Sequence, residues 1–220
     1  SGRPKGVELT HANLRANMRQ INEWVKFTRD DKFLGALPQF HSFGFTVLTL
    51  LPLTIGVPVV YQARFVPAQI VRSLREPRPT LFIALPSMYN ALTTVKSATA
   101  DDFASLRYIV SGGEPLPESV FQTYQERFKK TINEGYGLTE TAPVTNWCRP
   151  HEFRRRAVGM SLPDVDIAIV DLESGRELPA GKEGEVRIGG PNVSRGYYRE
   201  PELSRGMHDE KGRLKTGDIG

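Results

Sequence analysis

Residues 106–115, LRYIVSGGEP, are the stretch that most directly indicates the fold. The apolar run Leu106–Val110 ends in two adjacent glycines and a proline, and a helix-like stretch follows at Pro117–Phe128. A strand, a tight turn and a helix in this order are typical of a parallel sheet with crossover helices. The same alternation recurs upstream, with apolar runs at Phe33–Leu37, Val57–Tyr61 and Thr80–Leu85 and helix-like stretches at Pro67–Leu74 and Pro86–Val95. The sequence therefore predicts an α/β fold built on a parallel sheet.

The chain before the first predicted strand indicates an amphipathic helix. Thr10 is a suitable N-cap, and Leu14, Met18, Ile21 and Val25 then recur at helical spacing.

The pattern changes after about residue 150. Val165–Asp171 and Glu185–Gly189 are short alternating runs separated by turn residues, which is typical of antiparallel hairpins. We therefore predict two units, an α/β part over residues 1–150 and a small, mostly antiparallel β part over residues 151–220.

Composition narrows the functional classes. The chain has 220 residues, 39% of them hydrophobic, with a net charge of +4 and a single cysteine. Cys148 has no partner for an internal disulfide and belongs to no Cys/His array that would hold zinc, so a reducing cytoplasmic location is expected. The weak positive charge suits anionic ligands but forms no basic stripe, so nucleic acid is not expected as a partner. Residues 1–6 do not have the pattern of a secretory leader.

A long uncharged stretch raises the question of a membrane segment, because no Lys, Arg, Asp or Glu occurs between Lys32 and Arg64. Phe43–Val60 is long enough to cross a bilayer. Pro52, Gly56 and Pro58 favour instead a buried helix, Ser42–Leu51, followed by a buried strand. Peripheral membrane contact remains an alternative.

Two glycine-containing runs suit nucleotide chemistry. Residues 1–7, SGRPKGV, combine Gly2, Lys5 and Gly6 in a loop, which allows backbone N–H groups and one positive charge to approach a phosphate. Taken alone, this run is better explained as a surface turn. Gly112 and Gly113 follow a predicted parallel strand, where α/β sheets bind ligands, although a tight strand-to-helix turn explains them equally well.

Residues 134–141, EGYGLTET, are the most informative run and follow a short predicted strand at Thr131–Asn133. Tyr136, Thr139 and Glu140 place a ring, a hydroxyl and a carboxylate close together, a set that can stack on a base, contact a phosphate and hold Mg²⁺. Near the end of the sequence, in residues 215–218 (KTGD), Asp218 could accept hydrogen bonds from both hydroxyls of a ribose.

In their order and spacing these runs resemble the signature series of the acyl-adenylate-forming (AMP-binding) superfamily, which includes acyl-CoA synthetases, luciferases and the adenylation domains of peptide synthetases. The resemblance covers essentially the whole chain and includes residues 37–44 (LPQFHSFG), 184–186, 190–193 and 196–198. It implies that the chain is an internal part of a larger N-terminal domain. The first half of the phosphate loop and a C-terminal lid domain would then lie outside it.

The resemblance also implies a role for each matched residue. The mobile phosphate loop would include Gly2, Lys5 and Gly6. Adenine would lie against a wall formed by Gly112, Gly113 and Glu114, with Tyr136 stacked on the base beside Gly137, and Asp218 would bind the ribose. Thr139 would contact the α-phosphate and, together with Glu140, hold Mg²⁺, whereas the acyl or thiol channel would be flanked by His41, Phe43 and Gly135. The implied cofactors are ATP, Mg²⁺ and CoA, or acyl carrier protein as the acceptor. A buried core histidine is the alternative for His41.

The substrate prediction depends on His41. Amino-acid-activating members of the superfamily usually carry an aspartate here, and without that carboxylate an ammonium group has no charge partner. The neighbouring apolar helix favours a fatty acid, and the 134–144 run most resembles long-chain fatty acyl-CoA or acyl-carrier-protein synthetases. The alternatives are an aryl or other carboxylic acid, or a non-catalytic nucleotide- or lipid-binding module. An acyltransferase is disfavoured because no histidine is followed five residues later by an acidic residue.

The run Arg154–Arg156 has two interpretations. It could dock the phosphates of CoA or an acidic carrier protein, but a solvated loop is the favoured interpretation.

Overall fold

The computed structural model describes residues 4–220, which form two sheets. The larger sheet has six strands in the order β2-β1-β3-β4-β5-β6. Strands β1 to β5 are parallel, and β6 pairs antiparallel with β5. The strands are β1 (Phe33–Gly35), β2 (Val59–Tyr61), β3 (Leu81–Ala84), β4 (Tyr108–Ser111), β5 (Asn133–Gly137) and β6 (Val144–Trp147). The predicted parallel sheet is confirmed.

Helices connect the parallel strands as the alternation predicts. They are α1 (His11–Val25), α2 (Ser42–Phe45), α3 (Leu51–Ile55), α4 (Pro67–Arg75), α5 (Pro86–Thr93) and α6 (Glu118–Arg127). The core between helices and sheet contains a cluster of edge-packed rings formed by Tyr89, Phe103, Tyr124 and Phe128. The buried Tyr89 hydroxyl lies 2.9 Å from the carbonyl oxygens of both Phe82 and Val110 and donates its one proton between them, so this core contains a satisfied polar group that joins β3 to β4.

The first helix begins where the sequence predicts. The Thr10 side chain accepts a hydrogen bond from the backbone N–H of Asn13 at 3.1 Å and caps α1. The buried face of α1 also carries amide side chains. Asn13 donates to the carbonyls of Pro191 and Val193 at 2.9 Å each, and Asn17 donates to the Val144 carbonyl at 2.6 Å. These amides tie α1 to residues far away in sequence.

The helix that begins at Ser42 is longer than predicted. The prediction that it ends at Leu51, before Pro52, is wrong, because a π-helical turn over Thr46–Leu50 leads directly into α3, which ends at Ile55 with Gly56 as its C-cap. Proline has no N–H for the carbonyl four residues earlier, which is that of Leu48. The hydroxyl of Tyr61 donates to this carbonyl instead, so the proline leaves no unsatisfied group. Within residues 4–220, no helix has the length and apolar character needed to cross a bilayer.

The smaller sheet is antiparallel and has the order β7-β8-β9, with β7 (Asp166–Val170), β8 (Glu185–Gly189) and β9 (Leu214–Ile219). A short helix, α7 (Pro201–Gly206), precedes β9. The β7 to β8 connection begins with a turn in which the Asp171 carboxylate accepts from the Ser174 backbone N–H at 2.7 Å. The predicted β-rich character of this region is therefore confirmed.

Candidate nucleotide-binding site

A cleft of about 990 Å³ lies beside the carboxyl ends of β4 and β5. This is the end of a parallel sheet at which α/β proteins bind ligands. Eleven of the predicted site residues line the cleft: His41, Phe43, Gly112, Gly113, Glu114, Gly135, Tyr136, Gly137, Thr139, Glu140 and Asp218. Their sequence numbers span almost the whole chain, and the fold brings them to one cavity.

Glycines give the cleft its flat wall. A Cβ at Gly112 would lie 3.2 Å from the ring of Phe43, and Gly113 has a φ of +85°, a conformation that favours glycine. Gly137 is more tightly enclosed, since a Cβ there would lie 1.9 Å from the carbonyl oxygen of Pro143. A side chain at any of these positions would meet neighbouring protein atoms or require a strained backbone, so glycine allows the close packing of this wall.

Tyr136 joins the two sheets at the cleft. It lies within β5, so the prediction that its motif follows a strand ending at Asn133 is wrong. The antiparallel pairing with β6 extends β5 through Gly137. The Tyr136 hydroxyl donates to the Asp218 carboxylate of β9 at 2.6 Å. Burial, and then this hydrogen bond, raise the pKa of the Tyr136 phenol well above its ordinary value, so the hydroxyl remains protonated near neutral pH.

Thr139 and Glu140 lie in a 3₁₀ turn that follows β5. The Thr139 hydroxyl is 3.1 Å from the hydroxyl of Ser42. The Glu140 carboxylate accepts from the Tyr197 hydroxyl at 2.8 Å, and its carbonyl accepts from the Ser194 N–H at 2.7 Å. Burial, followed by the hydrogen bond to Glu140, raises the pKa of Tyr197 to about 12. Backbone and side chain of Glu140 are thus both held by the loop before α7.

The Glu140 carboxylate fits a metal that arrives with its ligand. Residues 4–220 contain no group of three or more His, Cys, Asp or Glu side chains that could hold a metal ion by themselves. Magnesium commonly keeps several waters and uses one or two carboxylates together with substrate phosphates. Glu140, with the Thr139 hydroxyl beside it, supplies that kind of donor set.

Lys5 and Gly6 lie outside the residues that line the cleft. The Lys5 ammonium is 4.4 Å from the centre of the Tyr197 ring, and the Gly6 carbonyl accepts from the Tyr198 N–H at 2.7 Å. The positive charge is therefore next to the tyrosine that contacts Glu140. Gly2 lies outside the described residues.

His41 is exposed at the mouth of the cleft, so the alternative of a buried core histidine is wrong. Its Nδ1 accepts from the Phe43 backbone N–H at 3.2 Å, which makes His41 the N-cap of α2. The imidazole is thus fixed by the helix that begins beside it.

Sequence analysis missed an ion-pair group at the cleft. Arg155 pairs with Glu134 at 2.8 Å and with Glu118 at 3.0 Å, and its guanidinium lies over the ring of Phe121. The other oxygen of Glu134 accepts from the Leu116 backbone N–H at 3.2 Å. The solvated-loop interpretation is therefore wrong for Arg155. These residues link β5, α6 and the loop after the glycine wall, and no local spacing rule relates charges 21 residues apart.

Comparisons with known proteins identify the family of the chain. The family described as AMP-binding enzyme matches residues 1–198. The chain is 31% identical to a long-chain-fatty-acid–CoA ligase of Bacillus subtilis, in an alignment that covers all of this chain and 40% of that protein. It is 30% identical to 4-coumarate–CoA ligase 3 of rice (Oryza sativa subsp. japonica), in an alignment that covers all of this chain and 42% of that protein. Its structure is similar to that of ATP-bound MatB from Rhodopseudomonas palustris, with a TM-score of 0.93, 32% identity, all of this chain covered and 43% of that chain covered.

This chain belongs to the AMP-binding enzyme family, as the match over residues 1–198 shows. It spans about two-fifths of the length of the curated relatives it matches.

Proposed function

We propose that this chain forms the nucleotide-binding cleft of an ATP-dependent ligase, which activates a carboxylic acid as acyl-AMP and transfers the acyl group to the thiol of CoA or acyl carrier protein. The observation that carries the proposal is the single cleft bounded by the hydrogen-bonded Tyr136–Asp218 pair and by Thr139 and Glu140. Groups suited to a base, a ribose and a charged phosphate thus line one cavity.

The proposed roles follow from the chemistry of each group. The Gly112–Glu114 wall and the ring of Tyr136 hold adenine, and the Asp218 carboxylate accepts hydrogen bonds from the ribose hydroxyls. Thr139 donates to the α-phosphate, and Glu140 with Thr139 holds the Mg²⁺ that enters with ATP. Mg²⁺ offsets negative charge on the phosphates. Lys5 acts on the same phosphates when its loop leaves the Tyr197 ring.

Two bond exchanges complete the reaction. An oxygen of the substrate carboxylate forms a bond to the α-phosphorus, and the bond between the α- and β-phosphates breaks, with pyrophosphate keeping the electron pair. The thiol then loses its proton to solvent and its sulfur forms a bond to the acyl carbon, while the bond from that carbon to the phosphate oxygen breaks and AMP leaves with the electron pair. The protein contributes mainly by positioning the reacting groups and screening their charge, and these two effects supply most of the rate enhancement in reactions of this type.

A fatty acid is the proposed substrate, and an aryl acid is the second candidate. His41 and Phe43 line the cleft near the apolar helix that begins at Ser42, which favours an aliphatic chain. The similarity to a fatty-acid ligase supports this choice, whereas the near-equal identity to a coumarate ligase supports an aryl acid. The proposed location is cytoplasmic, with peripheral membrane contact through the bound lipid as the alternative.

The test is pyrophosphate exchange by the full-length polypeptide with palmitate, 4-coumarate and an amino acid. Palmitate should support exchange best. Glu140→Gln should lower it about a hundredfold or more, because the substitution removes one electrostatic contact to the transition state. Glu126→Gln, an exposed carboxylate on α6, is the control and should match the parent. Exchange by Glu140→Gln within about threefold of the parent would refute the metal role, and preference for coumarate would select the second candidate.

Residues 1–220 alone should bind ATP weakly and form no acyl-AMP, because they span only about two-fifths of the length of the ligases they resemble. By itself, the 220-residue chain would then be a non-catalytic nucleotide-binding module. Measurable exchange by these 220 residues would contradict that description.

A further inference from the structure

The position of Asp218 depends on an irregularity in β9. Glu185 of β8 is paired with Ile219, and Arg187 is paired with Lys215, so two steps along β8 (185 to 187) face four along β9 (215 to 219). The additional residues form a bulge in which Gly217 has a φ of +74°. Bulges of this kind redirect side chains, often at functional sites. Here the bulge directs Asp218 to the hydroxyl of Tyr136.

A buried carboxylate holds this bulge. The Glu185 side chain is 8% exposed, and its Oε1 accepts from the Gly217 backbone N–H at 3.2 Å. The Thr216 hydroxyl assists by donating to the Val186 carbonyl at 2.6 Å and accepting from the Asp218 N–H at 3.1 Å. These contacts fix the backbone immediately before Asp218.

Glu185 is itself held by a chain of charges. Its Oε2 pairs with Arg187 at 3.0 Å, Arg187 pairs with Asp209 at 3.4 Å, and Arg213 pairs with the same carboxylate at 3.1 Å. All four side chains are at most 13% exposed. A buried carboxylate with one guanidinium partner and one backbone donor has little freedom to move, because each contact replaces solvation that burial removed.

We propose that Glu185 is a positioning residue for nucleotide binding: through the N–H of Gly217 it fixes the bulge that presents the Asp218 carboxylate to the ribose hydroxyls. This inference rests on the proposed function, in which Asp218 contacts the ribose. A purely structural role for the ion-pair chain would stabilise the small sheet without acting on any one part of the ligand. A positioning role therefore predicts that a change of Glu185 weakens recognition of the ribose hydroxyls in particular, whereas a structural role predicts no such selectivity.

The experiment compares ATP with 2′,3′-dideoxy-ATP, both with Mg²⁺, in titrations of the 220-residue chain followed by amide chemical shifts. In the parent, the dideoxy nucleotide should bind about tenfold or more weakly, because hydrogen bonds to a charged acceptor are lost. Glu185→Met should reduce the ratio of the two dissociation constants, dideoxy-ATP over ATP, to about two, because it weakens the binding of ATP alone. Glu185→Gln retains an acceptor for Gly217 and should keep the ratio within about threefold of the parent. Glu183→Gln, exposed two residues earlier, should keep the parental ratio.

Each outcome decides the question. A parental ratio in Glu185→Met, or equal loss of affinity for both nucleotides, would overturn the positioning role while leaving the proposed function intact. A parent that does not distinguish the two nucleotides would refute the ribose contact itself, and the inference with it. If circular dichroism shows that Glu185→Met is unfolded, Arg187→Met serves instead, since it removes the partner of Glu185 and leaves the carboxylate. Its ratio should fall at least about threefold, and an unchanged ratio would overturn the proposal.

Discussion

Arg155→Ala should destabilise the chain by about 2–3 kcal/mol. The substitution removes the partner of Glu134, whose side chain is 12% exposed, and leaves a nearly buried carboxylate with only the Leu116 N–H as a hydrogen-bond donor. Removing one partner from a fully buried pair costs about 3–5 kcal/mol. We take a smaller value because Arg155 is 23% exposed, and the second pair, with the half-exposed Glu118, contributes about 0–1 kcal/mol. In a chain of this length, the change corresponds to roughly 5–10 °C in Tm.

Urea unfolding followed by circular dichroism measures this effect. Arg154→Ala removes an exposed arginine from the same run and should stay within about 0.5 kcal/mol of the parent. The double variant Glu134→Gln/Arg155→Met should recover at least half of the loss, because no unpaired charge remains in the cleft. A stability for Arg155→Ala within about 0.5 kcal/mol of the parent would show that solvent replaces the ion pair, and the reasoning from burial would be wrong.

Three further predictions concern other parts of the chain. His41→Asp should preserve the cap of α2, since aspartate caps helices well. It should nevertheless lower the full-length protein's apparent affinity for palmitate about tenfold, because it places a charge beside an apolar path. Weaker ATP binding with unchanged palmitate affinity would contradict this prediction. Gly137→Ala should lower the free energy of unfolding, measured by urea titration, by about 1–3 kcal/mol, because the added methyl group would clash with the Pro143 carbonyl. Gly206→Ala is the control, since a methyl group there meets open space. Equal stabilities of the two variants would argue against the predicted clash. The hydrogen bond from Arg75 lowers the pKa of the Asp102 carboxyl, so its stabilising contribution is present above the unfolded-state pKa of about 4 and is lost as pH falls through the lower folded-state value. Asp102→Asn should therefore lose less stability than the parent between pH 7 and 3, and parallel pH curves would contradict the assignment.

Local patterns were sufficient to predict most elements of the fold. The Thr10 cap, the spacing of Met18 and Ile21, and the apolar runs that became β3 and β4 each depend on neighbours a few residues away. The same holds for Gly113, whose positive φ is a property of one turn. Features that depend on distant partners could not be predicted in this way. The helix continues through Pro52 because a tyrosine from the next strand satisfies a carbonyl, and β5 extends over the Tyr136 motif because β6 pairs with it.

In the candidate site, too, features set by nearby sequence could be predicted, whereas features set by distant partners could not. Tyr136, Thr139, Glu140 and Asp218 were identified as residue types in a recognisable order, and all four line the cleft. Groups that hold residues of the cleft were not predicted, because they come from elsewhere in the chain: a tyrosine 57 residues after Glu140, and the arginine paired with Glu134, a further cleft residue. A sequence pattern indicates which groups can contact a ligand, but the groups that hold them are determined by packing.

The buried amides of α1 have a consequence for the order in which the chain folds. Asn13 reaches its carbonyl partners across 178 and 180 residues, so these contacts cannot form until Pro191 and Val193 have left the ribosome. The parallel sheet uses shorter connections and can assemble earlier, because closing long loops carries the greater entropic cost. We therefore expect the turn containing Glu140, which is held by Ser194 and Tyr197, to become ordered only after these two residues have emerged, and to be open to proteases in nascent chains before then.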